Sequence, residues 1–276
     1  MKKYKLDKST QRMKIGQYLR EIQNYSSRSL RKVRVYLDNK LVRLTKKLPS
    51  NGILFVEEKE KKTNIEPIAM DLDIVFEDSD LLIINKPYGL VTHPTLKKVD
   101  VTLANGIVAY LNIVPRFYNR LDMDTTGLII IAKNAYTQAF LQNFGEVRKK
   151  YLALVEGKIE KEIIIEKPIF KPEQELKRII DDRGQYAKTV VRPLKYIEDK
   201  DISLIECELF TGRTHQIRVH LKSIGHPILG DKLYNPTSSH RVKRQMLHAY
   251  SLEFNHPRTK KKQHVEIEEY EDMKKI

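Results

Sequence analysis

The feature that most constrains the fold is a six-residue apolar run, residues 127–132, within the sequence NRLDMDTTGLIIIAKN (residues 119–134). The run is far shorter than the roughly 20 apolar residues that span a bilayer. A short, continuous apolar run bounded by turn residues is typical of a buried strand. We therefore expect a buried strand here, leading into a helix in the following AYTQAFLQNFGE.

Strand-like patterns recur from about residue 73 to the C-terminal region, with few long helices between them. The segment DIVFEDSDLLIINKPYGLVTHP reads as two strands separated by a turn at residues 77–80. Further strands are expected in KKYLALVEGKI, AKTVVRPLKYI, SLIECELF and TKKKQHVEIE. Because strands and helices do not alternate regularly, the pattern predicts an α+β fold with a large mixed or antiparallel sheet and flanking helices, not a doubly wound fold.

The first 50 residues hold most of the excess positive charge. They contain 15 Lys and Arg against 3 Asp and Glu, whereas the remaining 226 residues contain 36 against 33. A concentrated basic block indicates a polyanionic partner, most often nucleic acid. The alternative from charge alone is a solvated basic face that only keeps the protein in solution.

This basic block also has the pattern of a small folded unit. Ile15, Tyr18, Leu19 and Ile22 recur at helical spacing. Ser26 or Ser27 can cap a second helix, predicted over residues 28–37, and a hairpin is expected from LVRL and GILFVEE. The charged segment 57–66 is read as a linker. The expected domains are therefore 1–62, small, basic and α+β, and 63–276.

Several classes of protein have no support in the sequence. There is no GxGxxG, phosphate loop, HExxH or internal repeat, and the histidines lack metal-ligand spacing, so we expect neither cofactor nor metal. The single cysteine, Cys207, favours a reducing compartment. No apolar segment suggests a signal peptide or a membrane span. We expect a cytoplasmic protein without membrane attachment that acts as a monomer.

Three stretches combine charged or aromatic groups with turn signals. Asp122 and Asp124 precede a turn, where they either bond turn amides or project into a cleft. Arg218 lies in TGRTHQIRVHL and could clamp a buried carboxylate. Tyr151 begins an apolar strand, where a core role is the simplest interpretation. The residues alone do not decide between these alternatives.

Five segments, in order, resemble the motifs of the RluA-type pseudouridine synthases. They are LLIINKPYGLVTHP, NRLDMDTTGLIIIAKN, KKYLALVEG, GRTHQIRVHLKSIGHPILGDKLY and RQMLHAYSLEFNHP, which extend from residue 81 to residue 257. The family isomerises uridine in RNA to pseudouridine, with ribosomal RNA the expected substrate and transfer RNA the alternative. The resemblance implies that Asp122 acts at the sugar of a flipped-out uridine.

The resemblance also assigns the other site residues. Arg218 is expected to keep Asp122 ionised, and Tyr151 to stack on the target base. The substrate-binding residues are Arg120, which points toward the RNA, Ile217 as the floor for the uracil, and Arg213. Asp124 falls at a variable motif position and receives no role. Two residues depart from the motif: Asn119 replaces a histidine and Thr126 a serine.

The basic first block resembles the small RNA-binding domain, named after a ribosomal small-subunit protein, that often precedes this catalytic domain. Arg28, Arg31 and Lys32 are the RNA-binding residues this implies, although DNKLVRL lacks the usual glycine turn of the hairpin. Two rival functions stay open at this stage. One is a non-catalytic RNA-binding or ribosome-associated protein, and the other is a glycosidase or nuclease that uses Asp122 and Asp124.

Overall fold

The computed structural model describes residues 2–23, 25, 27–58, 63–94, 101–238 and 242–276. The strands are β1 (Lys2–Leu6), β2 (Val33–Leu37), β3 (Lys40–Val42), β4 (Gly52–Glu58), β5 (Ile74–Glu77), β6 (Leu81–Lys86), β7 (Thr126–Ala132), β8 (Arg148–Glu156), β9 (Ile163–Glu166), β10 (Ile169–Phe170), β11 (Ile179–Ile180), β12 (Lys188–Ile197), β13 (Ile202–Leu209), β14 (Leu247–Asn255) and β15 (Lys262–Glu266). The helices are α1 (Ile15–Glu21), α2 (Ser27–Leu30), α3 (Leu103–Leu111), α4 (Ala135–Phe144) and α5 (Gln216–Ser223).

Nine of these strands form one large sheet. Eight of them follow the order β5-β6-β7-β14-β8-β13-β12-β9. The ninth, β15, pairs antiparallel with the second half of β14, beyond the part that pairs with β7. The neighbours pair antiparallel except β7 and β14, which run parallel at His248–Thr126 and Ala249–Gly127. The sheet is therefore mixed, and the predicted α+β class with flanking helices is confirmed.

Strand β7 lies inside the sheet, between β6 and β14, and both of its faces are covered. Every residue from Thr126 to Ala132 is buried. Side chains alternate between the faces of a strand, so Ile129 and Ile131 pack into one hydrophobic core and Leu128 and Ile130 into another. The apolar run at residues 127–132 thus forms the buried strand that its pattern predicts.

The close approach of β7 and β14 depends on a glycine. Gly127 has a φ of +112°, and a Cβ at this position would collide with the backbone of Ala249. A side chain of any size is excluded both by the space and by the left-handed conformation. The close pairing of β7 with β14 places the loop that precedes β7 beside the start of β14, and the candidate site lies at this loop.

Residues 2–58 form a four-stranded antiparallel sheet of their own, with order β1-β4-β2-β3. Its core includes Ile15 and Leu19 of α1, packed against Val35, Leu54 and Val56 of the sheet. The predicted apolar stripe on the first helix is confirmed, except that Ile22 is exposed. The predicted linker includes residues 59–62, which lie outside the described residues, and the domain boundary at residue 62 stays a prediction.

Two predictions for this N-terminal unit are wrong. The second helix ends at Leu30 instead of continuing to residue 37, because Val33 and Val35 belong to β2. These β-branched residues favour a strand, and Val35 pairs with Val42 and Val56 on the two neighbouring strands. The predicted hairpin is also wrong, since β3 and β4 do not pair with each other: β4 lies between β2 and the unpredicted strand β1.

From residue 73 onward, the structure contains every strand that the sequence predicted, together with β9, β10, β11 and β14, which were not predicted. Strands β5, β6, β8, β12, β13 and β15 fall where the patterns indicated, and α4 follows β7 as expected. Helix α3 was not predicted, although Thr102 and Asn105 form a capping box at its start. No helix among the described residues is long and apolar enough to cross a membrane.

Candidate active site

The loop that precedes β7 carries Asp122 and is held by buried side chains. Three of these donate hydrogen bonds to its carbonyl oxygens: Thr92 Oγ1 to Leu121 (2.9 Å), Lys86 Nζ to Met123 (2.9 Å) and Arg244 Nη1 to Asp124 (3.4 Å). All three donors are almost inaccessible to solvent. The backbone of the loop is thus fixed from the core, while the Asp122 side chain remains 27% exposed at a cavity.

Lys86 is the least expected of these donors, because a fully buried lysine is uncommon. Burial lowers the pKa of Lys86 to about 7, although the carboxylates of Asp124 and Asp122 favour its charged form. Its amine also donates to the carbonyl oxygens of Pro87 (2.6 Å) and Leu90 (2.9 Å). Three acceptors match the three N–H groups of an ammonium, so Lys86 joins the end of β6 to the Asp122 loop.

The Arg218 guanidinium contacts two carboxylates at once. Nη1 donates to Asp122 Oδ2 at 2.7 Å. Nε and Nη2 donate to the two oxygens of Asp231 at 2.7 and 2.8 Å, a bidentate pair. Asp231 is fully buried, and its Oδ1 also accepts from the backbone amides of Leu233 and Tyr234. The expected pairing of Asp122 with Arg218 is therefore present, and Asp231 fixes the plane of the guanidinium.

Arg218 is placed by the start of α5. His215 precedes the helix with a φ of +59°, and the Gln216 side chain holds the turn together. Its Oε1 accepts from Thr211 Oγ1 and from the backbone amide of Arg213. Its Nε2 donates to the carbonyl of Lys188 at 3.0 Å, which ties the turn to β12. Arg218 therefore lies in the first turn of the helix, and its side chain reaches Asp122.

Electrostatics keep Arg218 charged. Burial alone would lower the pKa of Arg218, but the hydrogen bonds and charge of Asp231 and Asp122 raise it above the ordinary arginine value. Arg218 is thus a permanent cation at the Asp122 carboxylate. Its Nη1 lies 2.7 Å from an oxygen of that carboxylate.

Tyr151 lies on β8 and faces the same cavity. Its side chain is buried, and burial together with the charge of Asp122 raises the pKa of its hydroxyl well above the ordinary value. The ring is therefore a neutral phenol at any physiological pH. It offers an apolar surface and a hydroxyl near the carboxylate.

The cavity has a volume of about 420 Å³, within the range typical of sites for small ligands. Among the residues that the structure describes, Asp122 is the only carboxylate that lines it. The cationic lining residues are Arg120, Lys149, Arg213 and Arg218. Among the described residues, no three His, Cys, Asp or Glu side chains are grouped as a metal site requires. The cavity is thus a basic pocket around one acid, a charge pattern suited to a polyanionic substrate.

A second titratable group, His215, faces the same carboxylate. His215 Nε2 lies 3.9 Å from Asp122 Oδ2, and Nδ1 lies 2.9 Å from the hydroxyl of Tyr234. That hydroxyl accepts from the backbone amide of Arg178 at 2.7 Å, so its own proton is available for Nδ1. We therefore assign the tautomer protonated at Nε2, with its N–H on the Asp122 side.

The charge state of His215 agrees with this assignment. Burial lowers its pKa; the charges of Asp122 and Asp231 act in the opposite direction, and those of Arg218 and Arg178 add to the lowering. The net shift is downward, so the ring is neutral near pH 7. His215 is then a hydrogen-bond donor beside Asp122 that does not add a further charge.

The structure brings together the six residues predicted for catalysis and substrate binding. Asp122, Tyr151 and Arg218 line the cavity with Arg120, Ile217 and Arg213. The predicted RNA-binding residues lie elsewhere: Arg31 and Lys32 are exposed just after α2, and the side chain of Arg28 lies outside the described residues. Asp124 does not line the cavity, which removes the second acid from the glycosidase or nuclease hypothesis.

A comparison with protein-family models identifies one family. The model described as RNA pseudouridylate synthase matches residues 80–223, more than half of the chain. The chain belongs to the RNA pseudouridylate synthase family. The matched range includes Asp122, Tyr151 and Arg218.

Characterised and uncharacterised members of this family are similar to the chain. The ribosomal large subunit pseudouridine synthase D of Nitrosomonas europaea is 42% identical over 206 residues, which cover 68% of this chain and 59% of that protein. An uncharacterized RNA pseudouridine synthase of Bacillus subtilis, YlyB, is 36% identical over 241 residues, 83% of this chain and 79% of that protein. The chain thus spans well under two thirds of the first relative and most of the second.

A solved structure supports the same membership. Human RNA Pseudouridylate Synthase Domain Containing 1 superposes with a TM-score of 0.60 at 28% identity, covering 72% of this chain and 83% of the human one. The α+β fold with its large mixed sheet is thus that of the pseudouridylate synthases.

Sequence reasoning did not assign several residues that shape this synthase site. Asp231, Lys86 and Arg244 all lie within the five motif segments, but no local pattern shows which group each one contacts. Arg244, for example, also forms a bidentate pair with Asp272, at 2.7 Å for both bonds, and so anchors the C-terminal segment to the Asp122 loop. The signal that could have found them is a charged residue inside an otherwise apolar motif.

The two motif departures are accommodated by hydrogen bonds. Asn119 accepts from the amide of Ile130 (2.9 Å) and donates to the carbonyl of Leu128 (3.1 Å), so its side chain binds the backbone of β7. Thr126 Oγ1 lies 2.8 Å from His248 Nδ1, a contact that needs only a hydroxyl. Neither substitution disturbs the Asp122–Arg218 pair.

Proposed function

We propose that this protein converts specific uridines of ribosomal RNA to pseudouridine, with Asp122 as the group that acts at the ribose. The observation that carries the proposal is the arrangement of Asp122, Arg218 and Tyr151 around one basic cavity. The RNA class rests on the name of the Nitrosomonas relative, a ribosomal large subunit synthase. Transfer RNA is the alternative substrate.

The reaction is an isomerisation that needs no oxidant or reductant. The bond between N1 of uracil and C1′ of the ribose breaks, the base rotates within the cavity, and C5 forms a new bond to C1′. The proton on C5 is lost and N1 gains one, so the atoms balance. In the proposed mechanism the ionised Asp122 acts as the nucleophile at the sugar or assists removal of a sugar proton.

The other cavity residues have proposed roles that follow from their chemistry. Tyr151 stacks on the uracil and, as a neutral phenol, has a hydroxyl available for proton transfer. Ile217 forms the apolar floor under the base. Extraction of a uridine from its stack costs a few kcal/mol, and the guanidinium plane of Arg120 offsets part of that cost. Arg213, exposed at the mouth of the cavity, binds the neighbouring backbone.

The N-terminal unit is proposed to bind the same RNA through Arg28, Arg31 and Lys32, as a domain spanning residues 1–62. We also propose that the protein acts as a monomer in the cytoplasm. The single cysteine, Cys207, is buried and forms no disulfide, which favours a reducing compartment.

The proposal is tested by release of tritium from RNA that carries the label at C5 of uridine. An active synthase releases the label as the new C5–C1′ bond forms, and the RNA strand stays intact. Pseudouridine mapping in ribosomal and transfer RNA from a deletion strain then identifies the substrate. Absence of release from both RNA classes, with RNA binding retained, would favour the non-catalytic alternative.

A further inference from the structure

Lys149 is a cation in the cavity to which no role has yet been given. It lies on β8 two residues before Tyr151, so both side chains point to the same face of the sheet. Both residues line the cavity. Two residues along a strand correspond to about 7 Å, which places the amine of Lys149 next to Tyr151 on the same wall.

The amine has no counter-charge. Among the described residues, no hydrogen bond or ion pair reaches Lys149 Nζ, and the Tyr118 ring that it faces lies 6.0 Å away. Burial lowers the pKa of this lysine. Asp122, the one carboxylate that lines the cavity within the described part of the chain, is already bound by Arg218. A partly desolvated cation without a partner is costly, and the binding of an anion would offset that cost.

The amine lies against the turn before α5. A Cβ at position 212 would be in van der Waals contact with Lys149 Nζ, at 3.6 Å, so the amine and Gly212 are neighbours. Gly212, Arg213 and Thr214 are exposed, so this is the mouth of the cavity. An RNA strand that enters here carries one kind of anion, the phosphodiester, which a lysine binds as a point charge.

We infer that Lys149 binds a phosphodiester that flanks the target uridine while the base of that uridine stacks on Tyr151. The inference rests on the proposed function, because it assumes that the cavity receives a nucleotide of an RNA strand. It assigns a phosphate subsite about 7 Å along β8 from the base subsite. The two subsites together fix the register of the strand in the cavity.

The neighbouring lysine supplies a matched control. Lys150 points to the opposite face of the sheet, where Nζ forms an ion pair with Glu206 at 3.1 Å. Glu206 keeps Arg192 and Tyr250 as partners when Lys150 is replaced. Lys150→Met therefore removes the same charge one residue away without changing the cavity.

The experiment measures kcat/KM on an unmodified large-subunit ribosomal RNA transcript as a function of salt, and the salt dependence of binding to the same transcript. For Lys149→Met we expect kcat/KM to fall about tenfold, as loss of a charged hydrogen bond implies. The slope of log K against log salt should fall in magnitude by about 0.7, the change for one phosphate contact on a single strand. Lys149→Arg should retain most of the activity, and Lys150→Met should match the wild type.

Equal behaviour of Lys149→Met and Lys150→Met would overturn the inference. A loss of activity in Lys149→Met with an unchanged salt slope would also overturn it, because the lysine would then act on the base or on the fold. If the wild type released no tritium from any RNA, that result would contradict the proposed function but not the phosphate contact of Lys149. The binding slopes of the two variants would still decide whether Lys149 contacts a phosphate.

Discussion

Arg218 is held between Asp231 and Asp122, with one edge of its guanidinium on each carboxylate, at distances of 2.7 to 2.8 Å. The two acids differ in exposure: the side chain of Asp231 is fully buried, whereas that of Asp122 is 27% exposed. Asp231 therefore fixes the arginine, and Asp122 keeps one side open to the cavity. The site depends on a triad of charges, two of them buried, instead of the simple pair that the sequence suggested.

Replacement of Arg218 should affect stability as well as activity. Arg218→Ala leaves the buried Asp231 without its cation, which costs about 3–5 kcal/mol of the free energy of unfolding. It should also abolish most turnover, while Arg218→Lys keeps the charge and a little activity. Urea unfolding and tritium release measure the two effects. Arg213→Ala, at the exposed mouth of the cavity, is the control for stability. Near-normal turnover by Arg218→Ala would refute the pairing.

Loss of the Tyr234 hydroxyl should allow the neutral His215 ring to carry its proton on either nitrogen. Tyr234→Phe removes the donor to His215 Nδ1 and the acceptor of the Arg178 amide, at a cost of about 1–3 kcal/mol in stability. We expect the tautomer protonated at Nδ1 to appear in nitrogen-15 NMR spectra of the imidazole and kcat to fall more than KM rises. Tyr196→Phe, which loses only a surface bond to Asp201, is the control. An unchanged imidazole spectrum would contradict the assignment.

Stability should fall as the pH decreases through the range 6.5 to 4. Burial lowers the pKa of His248 from 6.5 to about 4, while its bond to the Glu268 carbonyl opposes the shift and the charge of Arg244 adds to it. Between these values the unfolded chain binds the proton and the folded chain does not, so acid favours unfolding, by about 3 kcal/mol for this residue. The pKa values of His93, His215 and His220 are also lowered and act in the same direction.

The pH prediction is measured by urea unfolding across that range. The side-chain amide in His248→Gln has one hydrogen-bonding atom for each partner of the imidazole, Thr126 and the Glu268 carbonyl, and it does not titrate. It should therefore lose less stability than the wild type on acidification. Identical pH dependence in the two proteins would mean that folding does not lower the pKa of His248.

The basic N-terminal unit should contribute phosphate contacts. Arg31 and Lys32 are both exposed, and replacement of both by Gln should reduce the salt slope of RNA binding by about 0.7 to 0.9 for each phosphate that is no longer neutralised. Lys161 and Lys195 are exposed outside the cavity, and the corresponding double Gln variant is the control of equal charge. Deletion of residues 1–60 should weaken binding further. The same slope in both double variants would show that the arginine and lysine after α2 do not touch RNA.

The parts of the fold that could be predicted are those encoded over short distances. The run at residues 127–132 is apolar on both strand faces, and its burial follows from that pattern alone. Strand β2 was missed because a serine cap suggested a helix over residues 28–37, while its partners Val42 and Val56 lie far along the sequence. Asp231, Lys86 and Arg244 could not be placed either. Each acts through groups that are distant in sequence, such as Lys86 and the carbonyl of Met123, 37 residues on.

The most direct test of the central claim is the rate of tritium release by Asp122→Asn. The variant keeps the shape of the side chain and removes its charge, and Arg218 retains Asp231 as a partner. The account predicts normal folding and RNA binding with no detectable release of tritium and no pseudouridine in the RNA. Turnover near the wild-type rate by Asp122→Asn would contradict it, because the ionised carboxylate would then not be required.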